Sequence, residues 1–136
     1  MTQKFELEGR VIKEGQAAGE ALVSREPISF LGGVNPQTGV VIEQGHELAG
    51  HSVAGKILVF PTGKGSTVGS YTLYRLARAG LAPAGIINAE SEPIVAVGVI
   101  ISDIPMVDQV DISLLRSGDQ ISIQGGKITV ERAGLS

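Results

Sequence analysis

The chain has 136 residues, a formal charge of −3, 43% hydrophobic and 4% aromatic residues, and no cysteine. This length suits one domain with a sizeable core, so residues 1–136 are expected to form a single domain. The negative charge and scarcity of stacking rings exclude a nucleic-acid binder, and without cysteine the chain offers no disulfide, thiolate nucleophile or iron–sulfur ligand. MTQKFELEGR lacks the apolar stretch of a signal peptide, and the longest apolar run, Ile94 to Ile101, is too short to span a bilayer. A cytoplasmic protein is expected, and the positive mean hydropathy hints at a partner covering part of its surface.

In chain order, FELEGRVI (Phe5 to Ile12) reads as a strand, followed by a Gly-rich turn and a second strand near Ala21 to Ser24. Turn signals then crowd together at Gly32-Gly33, Asn35-Pro36 and Thr38-Gly39, around a short strand expected at Val40 to Glu43. A segment this long and this rich in turns is either connection or a binding element. KILVF (Lys56 to Phe60) is the continuous apolar run of a strand buried on both faces. From Thr67 to Ala79 the periodicity is helical, with Gly69, Leu73, Leu76, Ala77 and Gly80 on one face, Tyr74, Arg75 and Arg78 on another, and Gly80 as the stop. A strand at Gly85 to Asn88 completes a strand–helix–strand unit whose crossover suits a parallel pair.

Pro93 to Ile101 fits a strand or a buried helix. Pro93 at a first-turn position behind Glu90 and Glu92 favours the helix. Ile104 to Val107 reads as a strand, DISLLRSG as a helical turn ended by Gly118, and QISIQGGKITV as a hairpin closed at Gly125-Gly126. The fold class is α/β, with β-rich ends and a mixed β core around the central strand–helix–strand unit.

Between the KILVF strand and the helix lies PTGKGSTVGSY, Pro61 to Tyr71. A strand that runs through glycines into a helix start aims backbone N–H groups outward at the positive end of a helix dipole, which is an anion site. Gly63 and Gly65 leave room for a ligand, Lys64 adds charge, and Ser66, Thr67 and Ser70 bring hydroxyls. The plainer alternative is that Ser66 or Thr67 only caps the helix, a contribution of about 0.5–2 kcal/mol.

Named nucleotide motifs fit poorly. Walker A fails, because Gly65 rather than Ser or Thr follows Lys64 and Val59 stands where the first glycine belongs. Gly63, Gly65 and Gly69 form GxGxxxG, one residue longer than the dinucleotide fingerprint, with Glu90 as its ribose carboxylate. That reading survives as a runner-up. His46 and His51 lack a third ligand, so no metal site is expected on this chain. Asp103, Asp108 and Asp111 suit turn and capping roles, Arg75 and Arg78 a solvated helix face, and two loop histidines do not make a Ser–His–Asp arrangement.

PTGKGSTVGSY, preceded by SFLGGVNPQTG and followed by GIINAESEPIVAVGVIISDIPMV, resembles the small subunit of aconitase X, and within that family the archaeal-type phosphomevalonate dehydratase small subunits. The resemblance covers nearly the whole chain. It implies a swivelling β/β/α domain, the aconitase-like small domain, paired in a heterodimer with a large subunit that carries a [4Fe-4S] cluster. The absence of cysteine agrees with that division.

The implied reaction is dehydration of (R)-5-phosphomevalonate to trans-anhydromevalonate 5-phosphate in the archaeal mevalonate route to isoprenoids. A proton leaves the carbon beside a carboxylate, and the hydroxyl departs with help from a cluster iron acting as Lewis acid. By the same resemblance Ser66, the first serine of the loop, is the proton acceptor; from the loop's own composition Gly63, Lys64, Gly65, Thr67 and Ser70 are the candidate substrate-binding residues around it. A related branch dehydrates hydroxyproline. Lys64 stands where arginine is expected in many relatives, and a point charge in place of a bidentate fork leaves its ligand group open. A serine is a poor base unless its alkoxide is stabilised, which the helix N-terminus, the loop N–H groups and Lys64 would do once water is excluded. Asn35, with Gly32 and Gly33, is the candidate second wall of the site. The competing reading is a stand-alone dinucleotide- or phosphate-binding module without catalysis.

Overall fold

The computed structural model describes residues 2–133. Eight strands and two helices are present: β1 (Thr2–Glu8), β2 (Arg10–Lys13), β3 (Gln16–Val23), β4 (Ile57–Phe60), α1 (Gly69–Arg78), β5 (Gly85–Asn88), α2 (Pro93–Ser102), β6 (Met106–Asp108), β7 (Gln120–Gln124) and β8 (Lys127–Ala133). A 3-10 turn, Ile112–Leu114, precedes β7. The strand order is β1-β8-β7-β3-β4-β5-β6-β2.

The outermost strands in that order, β1 and β2, are joined by one residue, Gly9, so the sheet must curl back on itself. Gly9 donates its N–H to Gly126 O at 3.0 Å, and a Cβ there would collide with Val107 and Val110. That crowding divides what the sequence presents as one strand, Phe5 to Ile12, into two strands belonging to different layers. β3 makes the same passage without a break. Its residues Gln16 to Glu20 pair antiparallel with β7, while Ala21 to Val23 pair parallel with β4. It therefore begins within the stretch expected to be a turn.

The result is three layers: an antiparallel sheet (β1, β8, β7, first half of β3), a mixed sheet (second half of β3, β4, β5, β6, β2), and the two helices. Alternation along the central strands divides the core in two. Leu58, Phe60 and Ile86 face the helices and pack with Leu73, Leu76, Val95 and Val99. Ile57, Val59 and Ile87 face the antiparallel sheet and pack with Ile121, Ile123, Ile128 and Val130. This is the β/β/α layering that the resemblance implies.

The strand–helix–strand unit forms as expected, with β4 and β5 parallel and Gly80 following α1 at φ 74°. Pro93 to Ile101 is helical. Pro93 occupies its first turn, and both oxygens of Glu92 accept N–H groups, from Ile94 and Val95, at 2.7 Å. The two helices touch closely at Gly98, where a Cβ would meet Leu73 Cδ1 at 2.6 Å. Val40 to Glu43 is not a strand. Only single bridges, Val34 to Val41 and Val40 to Ser52, form there, because the surrounding glycine turns reverse the chain before a ladder can extend. Among the described residues no helix is long and apolar enough to cross a membrane.

Candidate functional site

The loop after β4 is held from below and from one side. Asn88, fully buried at the end of β5, donates its Nδ2 to Phe60 O at 3.0 Å, and Pro61 O accepts N–H groups from Ala89 and Glu90 at 3.1 Å each. These bonds align the ends of the two parallel strands. Gly63 then bridges to Ile28, and Lys64 N–H reaches Ile28 O at 3.1 Å. The segment that follows β3 thus becomes one wall of the loop.

The two glycines do different work. Gly63 is buried, and a Cβ there would run into the Glu92 carboxylate that caps α2 and into Val95 Cγ2. Its missing side chain accommodates the α2 cap. Gly65 takes a left-handed backbone, φ 93°, with Ser29 Oγ packed where a Cβ would project. Ser29 in turn donates to Leu31 O at 2.9 Å.

Neither Ser66 nor Thr67 caps α1. The cap position is Val68, in right-handed helical conformation and without a side-chain bond. The first turn is tight instead: Gly69 N–H bonds to Ser66 O at 2.9 Å and Ser70 N–H to Thr67 O at 3.2 Å. The helix donors being satisfied by these carbonyls, the hydroxyls are released from capping. Among the described residues the N–H groups of Gly65, Ser66 and Thr67 find no acceptor. The neighbouring N-terminus, that of α2, is closed by the Glu92 carboxylate, whereas the loop ahead of α1 keeps these three N–H groups without an acceptor.

Ser66 is exposed at this open end, and its Oγ accepts the Val68 N–H at 3.2 Å. A donor aimed at that oxygen favours the ionised over the neutral hydroxyl. Thr67 is exposed beside it. Lys64 lies across the loop with Nζ 3.2 Å from Glu43 Oε2. Ser70 is buried and donates to Ile94 O at 2.6 Å, tying α1 to α2 below the loop.

Asn35 is elsewhere. Its Oδ1 accepts the Gln37 N–H at 2.8 Å, and its carbonyl accepts from Thr38 and Gly39, which makes it the organiser of a turn. The adjoining Pro36 and Gln37 lie against Tyr74, Arg75 and Arg78 of α1, two to three turns of helix from Ser66. Gly33 does approach the site, since a Cβ on it would stand 3.5 Å from Glu43 Oε1. The second wall is therefore built from Ser29 to Gly33 and Glu43. Glu43 and Ser29 carry no local signal in the sequence; folding alone places them here.

His46 and four aspartates serve the fold. His46 is buried, with Nε2 3.1 Å from Pro27 O and Nδ1 accepting the Leu48 N–H at 3.1 Å, the bonding of a neutral ring donating through Nε2. Asp103 ends α2 in left-handed conformation and pairs with Lys13 at 2.8 Å, and Asp111 caps the 3-10 turn. Burial pushes the Asp108 carboxyl up, but the two-pronged bond from Arg10 and the Ser91 N–H outweigh it and hold it below the ordinary carboxylate range. Asp119 is lowered in the same way, with burial opposed by Arg132 and the Arg116 N–H.

The chain contains no thiolate, and among the described residues no three of its His, Asp and Glu side chains gather as metal ligands. These residues do not fit an iron–sulfur cluster.

A family model described as aconitase X swivel domain matches residues 6–132. The phosphomevalonate dehydratase small subunit of Methanosarcina acetivorans is 56% identical over 130 residues, covering 93% of this chain and 90% of that one. The small subunit of the same name from Thermococcus kodakarensis is 55% identical over 127 residues, covering 93% and 96%. The crystal structure of Thermococcus kodakaraensis aconitase X in its holo form superposes with a TM-score of 0.91 at 53% identity, covering 93% of this chain and 98% of that one. With its three layers, its Gly-rich loop and these similarities together, the chain belongs to the aconitase X swivel-domain family.

Proposed function

We propose that this chain is the small subunit of a hydro-lyase that dehydrates (R)-5-phosphomevalonate to trans-anhydromevalonate 5-phosphate, with Ser66 as the proton acceptor. The names of the relatives at more than 50% identity support the substrate. The observation that carries the chemistry is Ser66 Oγ in the loop before α1, accepting the Val68 N–H at 3.2 Å, beside Gly65, Ser66 and Thr67 N–H groups that find no acceptor among the described residues.

The ionised Ser66 oxygen takes the proton from the carbon beside the substrate carboxylate. The electron pair left behind forms the new double bond as the neighbouring hydroxyl leaves. Val68 N–H and the helix dipole stabilise the serine anion before the transfer, and Lys64 with the free loop N–H groups holds a negatively charged group of the substrate. Thr67 lies within the same surface, while Gly63 and Ser70 support it from beneath. By the resemblance, a [4Fe-4S] cluster held by the large subunit would supply a Lewis acid for the departing hydroxyl.

The test is anaerobic reconstitution with the cognate large subunit. Dehydration of (R)-5-phosphomevalonate by the complex, lost in the Ser66→Ala complex, is expected. A competent complex that turns over hydroxyproline but not phosphomevalonate defeats the substrate assignment. Saturable dinucleotide binding by the isolated chain, with no activity in any complex, favours the binding-module reading.

A further inference from the structure

Beside the loop, α1 and α2 leave an apolar groove of about 370 Å³ between them. Its walls include Thr67, Val68 and Tyr71 from the loop and α1, and Ile94, Val97 and Ile101 from α2. Tyr71 is 65% exposed, Val97 49% and Ile101 43%. Over its ten residues, PIVAVGVIIS, α2 carries no charge, although an outer helix normally presents charged groups to water. Val68, Tyr71, Val97, Ile100 and Ile101 together expose on the order of 500 Å², at the upper end of the roughly 300–600 Å² found for the largest patch on a monomer and over half of the ~800 Å² that each partner contributes to a stable interface.

We infer that this groove is where the large subunit docks, receiving a bulky aliphatic or aromatic side chain of that subunit. The inference rests on the proposed function and adds the place of contact. Thr67 and Val68 belong to both surfaces: they follow Ser66 in the loop and form one wall of the groove. A subunit that brings its substrate-bearing face against Ser66 therefore meets the groove in the same approach. A second copy of this chain seated there would instead cover the loop and shut the site. The uncharged rim, with the hydroxyls of Thr67 and Tyr71, suits an apolar anchor rather than a charged one.

Val97→Glu and Ile101→Glu place a charge in the groove at positions that are already about half exposed, so folding is retained and thermal midpoints stay within a few degrees of the parent. Each is expected to weaken binding of the cluster-loaded large subunit, measured by calorimetric titration, at least thirtyfold. Tyr71→Ala, which introduces no charge, is expected to weaken it about tenfold, and Gln124→Glu on the far sheet to leave it unchanged. If the groove variants bind as tightly as the parent, the docking site is wrong while the role of Ser66 stands. If the parent chain forms no complex at all, the functional reading itself fails. The isolated chain is expected to sediment as a monomer; a dimer dispersed by Val97→Glu would assign the groove to a second copy and overturn the proposal.

Discussion

Ser66→Ala separates chemistry from scaffolding at one atom. What the variant loses structurally is small: Ser66 is exposed, and among the described residues its Oγ makes one hydrogen bond, from the Val68 N–H at 3.2 Å. A true N-cap serine would cost about 0.5–2 kcal/mol, but here the first-turn donors bond to the Ser66 and Thr67 carbonyls, which alanine retains. One long, solvent-facing bond is lost, a cost below about 1 kcal/mol. For a chain of this size that lowers the thermal midpoint by less than about 4 °C. If Ser66 takes the proton, its removal costs about 10²–10⁴ in turnover, or about 3–5 kcal/mol of barrier. The assay is anaerobic reconstitution with the large subunit, following the ultraviolet absorbance of the new conjugated double bond, with calorimetry on the same samples. Turnover within threefold of the parent would remove Ser66 from the base role. A midpoint drop above about 8 °C would show that the hydroxyl holds the fold instead.

Gly63→Ala drives a methyl group into the Glu92 carboxylate and Val95, unseating the α2 cap; a loss of about 2–3 kcal/mol is expected in urea unfolding, and an unchanged midpoint would contradict the packing role assigned to Gly63. Lys64→Ala should raise KM about tenfold with kcat within twofold, as expected for a charge that binds ground and transition states alike; an equal fall in kcat and kcat/KM would instead place Lys64 in the proton-transfer step. The Asp108 and Asp119 carboxyls sit below their ordinary range when folded. Their contribution is therefore complete above the unfolded-state value near pH 4 and lost as pH falls through the lower folded-state values. Asp108→Asn and Asp119→Asn should flatten the acid limb of a stability–pH curve, and a limb of unaltered slope counts against this account.

Much of the fold is legible in the sequence because it is written in local patterns. Ile57 to Phe60 is a continuous apolar run and Gly85 to Asn88 centres on Ile86-Ile87, both buried throughout as strands sandwiched between layers must be, and the 3.6-residue period of α1 together with Pro93 behind Glu92 at α2 specifies the helices. The hairpin at Gly125-Gly126 follows from turn chemistry in the same way. The split of Phe5 to Ile12 is not legible, since nothing local reveals that Gly9 lies between Gly126 and the end of β6. Nor does the run at Val40 to Glu43 reveal that its neighbours fold back before a ladder can form.

The candidate site divides along the same line. Its loop, from Gly63 to Ser70, stands out by composition, since glycines and hydroxyls between a buried strand and a helix start have few other uses. That Gly63 serves packing was decided by α2, whose Glu92 occupies the space beside it from 29 residues away in the chain. Asn35 and Glu43 exchange importance for a comparable reason: the turn at Asn35 carries it toward the far end of α1, and the following chain returns Glu43 to Lys64. Sequence alone determined the residue types able to move a proton and attract an anion. Tertiary structure decided that Glu92 closes the start of α2 while the N–H groups of the loop before α1 keep no acceptor, because these partners meet only when the layers pack.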